Sequence, residues 1–215
     1  MYLNQNRILV ACRADGLRKL CNDPNLSSAI EIEISNVRIT ELPEELFTAK
    51  RLKSLRLTES HLKSISPGIR EFTELKELVL SQNSLETLPN ELGRLSRLRT
   101  LDLSDNRFRL VPESITAISS LTNLNISNNQ FTSLPNTICK LQHLAELIAL
   151  NNRFEELPQC LALMTSLTML DVTGNQVHDI PRPDGSYQSL KHLFVDKLNL
   201  TNDCLAWLHD KAFFN

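Results

Sequence analysis

Apolar residues in this chain fall into a pattern that closes on itself every 23 positions. Leu75 to Leu85 reads L-K-E-L-V-L-S-Q-N-S-L, Leu98 to Phe108 reads L-R-T-L-D-L-S-D-N-R-F, and Leu121 to Phe131 reads L-T-N-L-N-I-S-N-N-Q-F. The frame runs without insertion through first positions at Ala29, Leu52, Leu75, Leu98, Leu121, Leu144, Leu167 and Leu190, giving eight copies. A fixed period of this size marks a stacked architecture in which each copy buries its apolar side against its neighbours. Positions 4 and 6, such as Leu78/Leu80 and Leu101/Leu103, alternate with polar residues, the period of a half-buried strand. Identical strands joined by identical crossovers must lie parallel, about 4.8 Å apart. Positions 3, 5 and 7 then line the inner face of a curved sheet.

The remaining positions have separable roles. Asn83, Asn106, Asn129, Asn152 and Asn175 occupy position 9 between apolar neighbours. A buried amide must be hydrogen-bonded, so they are expected to satisfy backbone groups where each strand turns a corner. Position 11 holds Phe108, Phe131 and Phe154 in succession, which predicts a stacked aromatic spine. Leu88-Pro89, Val111-Pro112, Leu134-Pro135 and Leu157-Pro158 end the extended segment, since Pro fixes φ. Apolar pairs at positions 18 and 21, such as Leu92/Leu95, predict one short helical or 3-10 turn per copy on the convex side. In copy seven, Pro181-Arg182-Pro183-Asp184-Gly185 predicts an irregular loop.

The motif LxxLxLxxNxL followed by LPxxIxxL resembles the leucine-rich repeat family. The 23-residue spacing and LP signature resemble, more narrowly, the Ras-suppressor-like and plant Ras-group-related class, which also occurs among bacterial effectors. The fold class is accordingly an α/β solenoid, a curved horseshoe with a parallel concave sheet and short helical or 3-10 convex segments. The organisation read from the chain is an N-terminal helical cap over 1–28, eight repeats over 29–212 and a tail at 213–215. Asn4 or Asn6 is expected to start the first helix, with Leu9, Val10, Leu17, Leu20 and Cys21 near one face. Thr201 or Asn202 is expected to start the last helix, whose Leu205, Trp207, Leu208 and Ala212 cover the open end of the core.

Charge and cysteine usage narrow the function. A net charge of -2 and a pI of about 6.2 supply no basic field for nucleic acid. No apolar run is long enough to span a bilayer. Leu9-Val10-Ala11-Cys12 resembles a lipoprotein cleavage box but follows too short an apolar stretch for a signal. Cys12, Cys21, Cys139, Cys160 and Cys204 form no CxxC pair and are odd in number, which reads as free thiols in a reducing, cytoplasmic compartment, or the host cytosol for an injected protein. The sequons at Asn25, Asn125 and Asn199 matter only in a secreted protein. Stacking builds a continuous core, so neither disulfide nor metal is expected to support the fold.

No phosphate loop, nucleophile elbow or metal-ligand motif is present, and the chain reads as non-enzymatic, without cofactor or metal. Asp171 and His192 fall near each other, yet no nucleophile or oxyanion donor completes a site. The function expected is a monomeric protein-interaction module that grips its partner on the concave face, as a scaffold, a signalling regulator or a bacterial effector in a host cell. The alternative is a substrate-recognition adaptor of a ubiquitin ligase or other enzyme complex.

The candidate contact residues are those the repeat leaves free. The inner face carries Glu31, Glu33, Glu77, Asp102, Glu146, Asp171 and Asp196 against Arg56, bordered by Lys53, Lys76, Arg99, Lys191, Arg38, Arg107 and Arg153. That is either a solvated face with compensating charges or a docking stripe. Ile148, Leu150, Met169 and Phe194 break the polar rule in the last three copies. They form either a partner surface or a seat for Ala212-Phe213-Phe214. The candidate site is Glu77, Asp102, Asn123, Asn125, Glu146, Ile148, Leu150, Met169, Asp171, His192 and Phe194, matched to a segment with a hydrophobic anchor beside Lys or Arg.

Overall fold

A computed structural model describes residues 2–4, 7–11, 14–183 and 185–210. Each copy of the repeat delivers one strand: β3 (Glu31–Ser35), β4 (Ser54–Thr58), β5 (Glu77–Val79), β6 (Thr100–Asp102), β7 (Asn123–Asn125), β8 (Glu146–Ile148), β9 (Met169–Asp171) and β10 (His192–Phe194). All eight pair parallel in chain order with an unbroken register, so Ile32, Leu55, Leu78, Leu101, Leu124, Leu147, Leu170 and Leu193 form one row. That row is buried throughout. The chain is thus a curved solenoid whose core lies between the sheet and the convex turns.

The sheet extends beyond the first repeat. Strand β2 (Arg7–Ala11) pairs parallel with β3, and β1 (Tyr2–Asn4) antiparallel with β2, ahead of helix α1 (Ala14–Cys21). This corrects the expected single helix: Leu9 and Val10 lie in a strand, Asn4 is in β1, and Asn6 falls outside the described residues. The physical reason is the short apolar, partly β-branched run Ile8-Leu9-Val10-Ala11, which suits a strand, and Arg7 to Ala11 pairs with Glu31 to Ser35 residue for residue. Its offset is one residue longer than the repeat, which takes it out of the 23-residue frame. Only the second half of the segment is helical, with Leu17 and Leu20 buried.

Prolines open the convex side as expected. Pro43, Pro89, Pro135 and Pro158 precede 3-10 turns, and Pro112 precedes the short helix α2 (Glu113–Thr116), all with φ between -60 and -69°. With φ already set and no N–H to leave unpaired, Pro suits the entry to a helical turn. In the one copy where Ser66 precedes Pro67, the Ser66 hydroxyl instead accepts a bond from the Gly68 N–H at 3.2 Å. Copy seven has no helical turn among its described convex residues. There Tyr187 adopts φ 55° and its N–H donates to the Ala162 carbonyl at 2.7 Å, while Asp184 lies outside the described residues.

Two ladders run through the central repeats. Phe108, Phe131 and Phe154 stack with centroids 5.9 and 6.3 Å apart and planes within 5 and 3° of parallel. Beside them, the side-chain oxygen of each position-9 Asn accepts the N–H of position 11 in the preceding repeat. Asn129 takes Phe108 N–H at 3.0 Å, and Asn152 takes Phe131 N–H at 3.1 Å. The Asn129 amide nitrogen donates to Leu103 of the previous repeat and to Ile126 and Ser127 of its own, at 3.0 to 3.2 Å. Asn83, Asn106, Asn152 and Asn175 repeat this pattern. At Ser60, which replaces Asn, the backbone carbonyl accepts the Ile39 N–H at 3.1 Å and so substitutes for the missing amide oxygen.

At the C-terminal end, helix α3 (Asn202–Asp210) starts at Thr201, whose hydroxyl accepts the Cys204 N–H at 3.3 Å. Cys204 and Leu208 are buried, and Trp207 packs on Tyr187 with centroids 5.8 Å apart. Burial pushes the Cys204 thiol and the Tyr187 phenol up from their ordinary pKa values, as it does the Cys21 thiol. Ala212 and the Phe213-Phe214 tail lie outside the described residues.

The cysteines depart from expectation. Cys139 and Cys160 are joined by a disulfide, with Cα atoms 6.1 Å apart, bridging the convex turns of copies five and six. Cys21 and Cys204 are free, and Cys12 lies outside the described residues. The 21-residue separation of Cys139 and Cys160 matches no short cysteine motif. Stacking nevertheless places residues about one repeat apart side by side, so the pair was hidden by its spacing in the chain.

Two outcomes are expected. Asn129→Ala strands backbone groups in two repeats at once and should cost about 1 to 3 kcal/mol, read as a melting temperature several degrees lower. An unchanged melt would contradict the ladder. Reduction of Cys139–Cys160, or Cys160→Ser, should destabilise by up to about 3 kcal/mol for a loop of this size while leaving unfolding cooperative, as calorimetry with and without reductant will show.

Candidate functional site

The concave face is a grid fixed by strand register. Its position-3 row runs Glu31, Ser54, Glu77, Thr100, Asn123, Glu146, Met169, His192, and its position-5 row runs Glu33, Arg56, Val79, Asp102, Asn125, Ile148, Asp171, Phe194. Much of the acidic stripe is already engaged. Glu77 forms an ion pair with Arg56 and accepts from the Ser54 hydroxyl at 2.8 Å. Asp102, Asn125 and Asp171 each accept the N–H two residues ahead, at 2.9 to 3.1 Å, closing the strand with a local turn. Asn123 donates to Glu146 at 2.5 Å, joining two neighbouring candidates. Asp196 accepts the Gly174 N–H at 2.6 Å.

The apolar candidates gather over β8, β9 and β10, though not as one stripe. Met169 lies diagonally between Ile148 and Phe194, and Asp171 separates those two along their own row. Leu150 follows two residues after Ile148, its N–H donating to the Ser127 hydroxyl at 3.2 Å. Ile148, Leu150 and Met169 are half-buried, whereas Phe194 is 45% exposed and stacks on His192 at 6.4 Å with planes 9° apart. Register sets His192 beside Met169 and Phe194 beside Asp171, so Asp171 and His192 are not direct partners. Glu77 and Asp102 lie three and two strands, respectively, from β8, the near edge of this group.

Val79 escaped sequence reasoning. It is a fifth apolar inner-face residue, 7% exposed, between Arg56 and Asp102. Its position-5 place was the available signal.

The rim beyond the strands is set by position 8, which is left-handed in seven successive copies: Asn36, Glu59, Gln82, Asp105, Asn128, Asn151 and Gly174, with φ between 50 and 74°. Asn, Asp and Gly tolerate this conformation best. At Gly174 a side chain has no room, since an added Cβ would lie 2.0 Å from the Asn151 side-chain oxygen. Asn151 is itself held by donating to Asn128 at 2.9 Å.

Parallel strands in a strict 23-residue register, an asparagine ladder and Pro-led convex turns together define a leucine-rich repeat solenoid. Residues 67–152 match the family model of a leucine-rich repeat region. No curated protein matches the chain. Among solved structures it is similar to an internalin, inlF, of Listeria monocytogenes, at 22% identity over 99% of this chain and 65% of that one, with a TM-score of 0.73. It is also similar to a leucine-rich repeat protein of Leptospira interrogans, at 24% identity over 80% of this chain and 51% of that one, with a TM-score of 0.68. At these identities the likeness is one of fold, and this chain spans about half to two thirds of each.

Gly174→Ala is expected to lower stability by at least about 1 to 2 kcal/mol, the usual penalty of a left-handed side chain, because the contact with Asn151 adds to it. Gln82→Gly, at the same repeat position, should be near neutral. Paired thermal melts check both.

Proposed function

We propose that this protein is a binding module that grips a protein partner on the concave face of its C-terminal repeats. The single observation that supports this reading is the joining of Ile148, Leu150, Met169 and Phe194 across β8 to β10, with Phe194 substantially exposed and Glu146 and Asp171 between them. An exposed ring beside half-buried aliphatics is the usual anchor of an interface, and the carboxylates around it steer a partner bearing Lys or Arg next to its own apolar anchor. Asp171 uses one carboxylate oxygen for the Thr173 N–H, so the other remains available to such a cation. Glu77, Asp102, Asn123 and Asn125 serve mainly to hold the face in shape through the bonds described above.

The Cys139–Cys160 disulfide favours an oxidising compartment over a cytoplasmic one. A secreted or surface-exposed role therefore fits this chain better than an intracellular adaptor subunit. Among the described residues no helix is long and apolar enough to cross a membrane.

Once a partner is identified by cross-linking and mass spectrometry, Phe194→Ala should weaken binding by about 2 kcal/mol, roughly thirtyfold, with the melting temperature unchanged. Asp171→Asn keeps the acceptor for the Thr173 N–H, and should slow association and flatten its salt dependence with little effect on dissociation. If Phe194→Ala lowers stability and leaves affinity intact, the ring belongs to the C-terminal cap and the proposal fails.

A further inference from the structure

Position 13 of the repeat is polar in seven of the eight copies, as Glu41, Ser64, Thr87, Ser133, Glu156, Asp179 and Asn202, and is Leu110 in the fourth. The frame has no packing use for an apolar residue there, and Leu110 is 69% exposed. It stands in a groove of 460 Å³ on the flank leading from the sheet to the convex side, with Leu88 and Pro112 as further apolar lining. Arg107 and Arg109, from the same segment as Leu110, also line the groove. Both are exposed, and neither guanidinium has an ion-pair or hydrogen-bond partner among the described residues. Glu86 and Glu113 line the groove as well. This flank lies outside the concave face and includes none of its candidate residues.

We propose that this groove is a second docking site, which takes an extended segment of a partner protein carrying one aliphatic or aromatic anchor next to a carboxylate. The anchor seats on Leu110 and Pro112, where exposed apolar surface is removed from water. The carboxylate meets Arg107 and Arg109, whose planar guanidiniums suit bidentate pairing and are only weakly hydrated. Glu86 and Glu113 repel any further acidic residue, which restricts the segment to one carboxylate near its anchor and sets its direction. The preference is opposite in sign to that of the acidic concave face, so the two surfaces select different partners or different parts of one.

The test uses the full chain and three fluorescent peptides of equal length: one with adjacent Leu and Glu in a Gly/Ser background, one with Glu replaced by Lys, and one with Leu replaced by Ser. Anisotropy should show saturable binding of the Leu-Glu peptide, weakened about tenfold or more by either change in the peptide. Leu110→Ser and Arg109→Gln should each reduce affinity by a similar factor with unchanged melting temperature, whereas Ser133→Ala, at the same repeat position one copy on, should have no effect. Absence of saturable binding, equal binding of the Lys peptide, or indifference to Leu110→Ser would each overturn the proposal. Sedimentation of the free chain completes it, since self-association abolished by Leu110→Ser would assign the groove to a second copy.

Discussion

A strand that turns sharply at its end frees backbone donors and acceptors inside the core, and each repeat must satisfy them without a helix or hairpin. The position-9 asparagine does this with one side chain. Its oxygen takes an N–H from the preceding repeat and its nitrogen serves carbonyls of both repeats. Because its bonds to the earlier copy span 21 to 26 residues, the ladder also locks the stacking distance and register. The parallel sheet, the aromatic spine and the rim of left-handed residues all inherit their alignment from it. Where the amide is lost at Ser60, a main-chain carbonyl occupies the same place, which shows that the geometry, and not the residue type, is what the fold requires.

The fold was legible because the repeat presents the same argument eight times over. Strand positions, the Phe108–Phe131–Phe154 stack, the asparagine ladder and the Pro-led turns follow from periodicity and from the need to pair buried polar groups. What was not legible departs from the period. Strand β2 sits one residue out of frame, and Cys139 and Cys160 occupy different positions of adjacent copies. The left-handed column at position 8 hides behind varied residues, since Glu59 and Gln82 carry no compositional mark of a positive φ.

The candidate site was legible as a face but less so as a surface. Counting charges along the inner rows suggested a free acidic stripe, whereas Arg56, Ser54, Asn123 and the strand-end turns engage much of it. Pairing of this kind depends on which side chains reach across a strand, and that information resides in register. Register likewise interposes Asp171 between Ile148 and Phe194, so the apolar group is a zigzag with a charge inside it. Leu110 and Val79 were visible throughout as exceptions to their columns.

The phenylalanine spine has a geometric effect on the opposite side of the molecule. Its rings repeat every 5.9 to 6.3 Å, whereas neighbouring strands repeat at about 4.8 Å. Each central repeat is therefore a wedge, wider at its core than at its inner wall, and a succession of wedges bends into an arc. The width of the mouth that faces a partner is thus set in part by side chains no partner can touch.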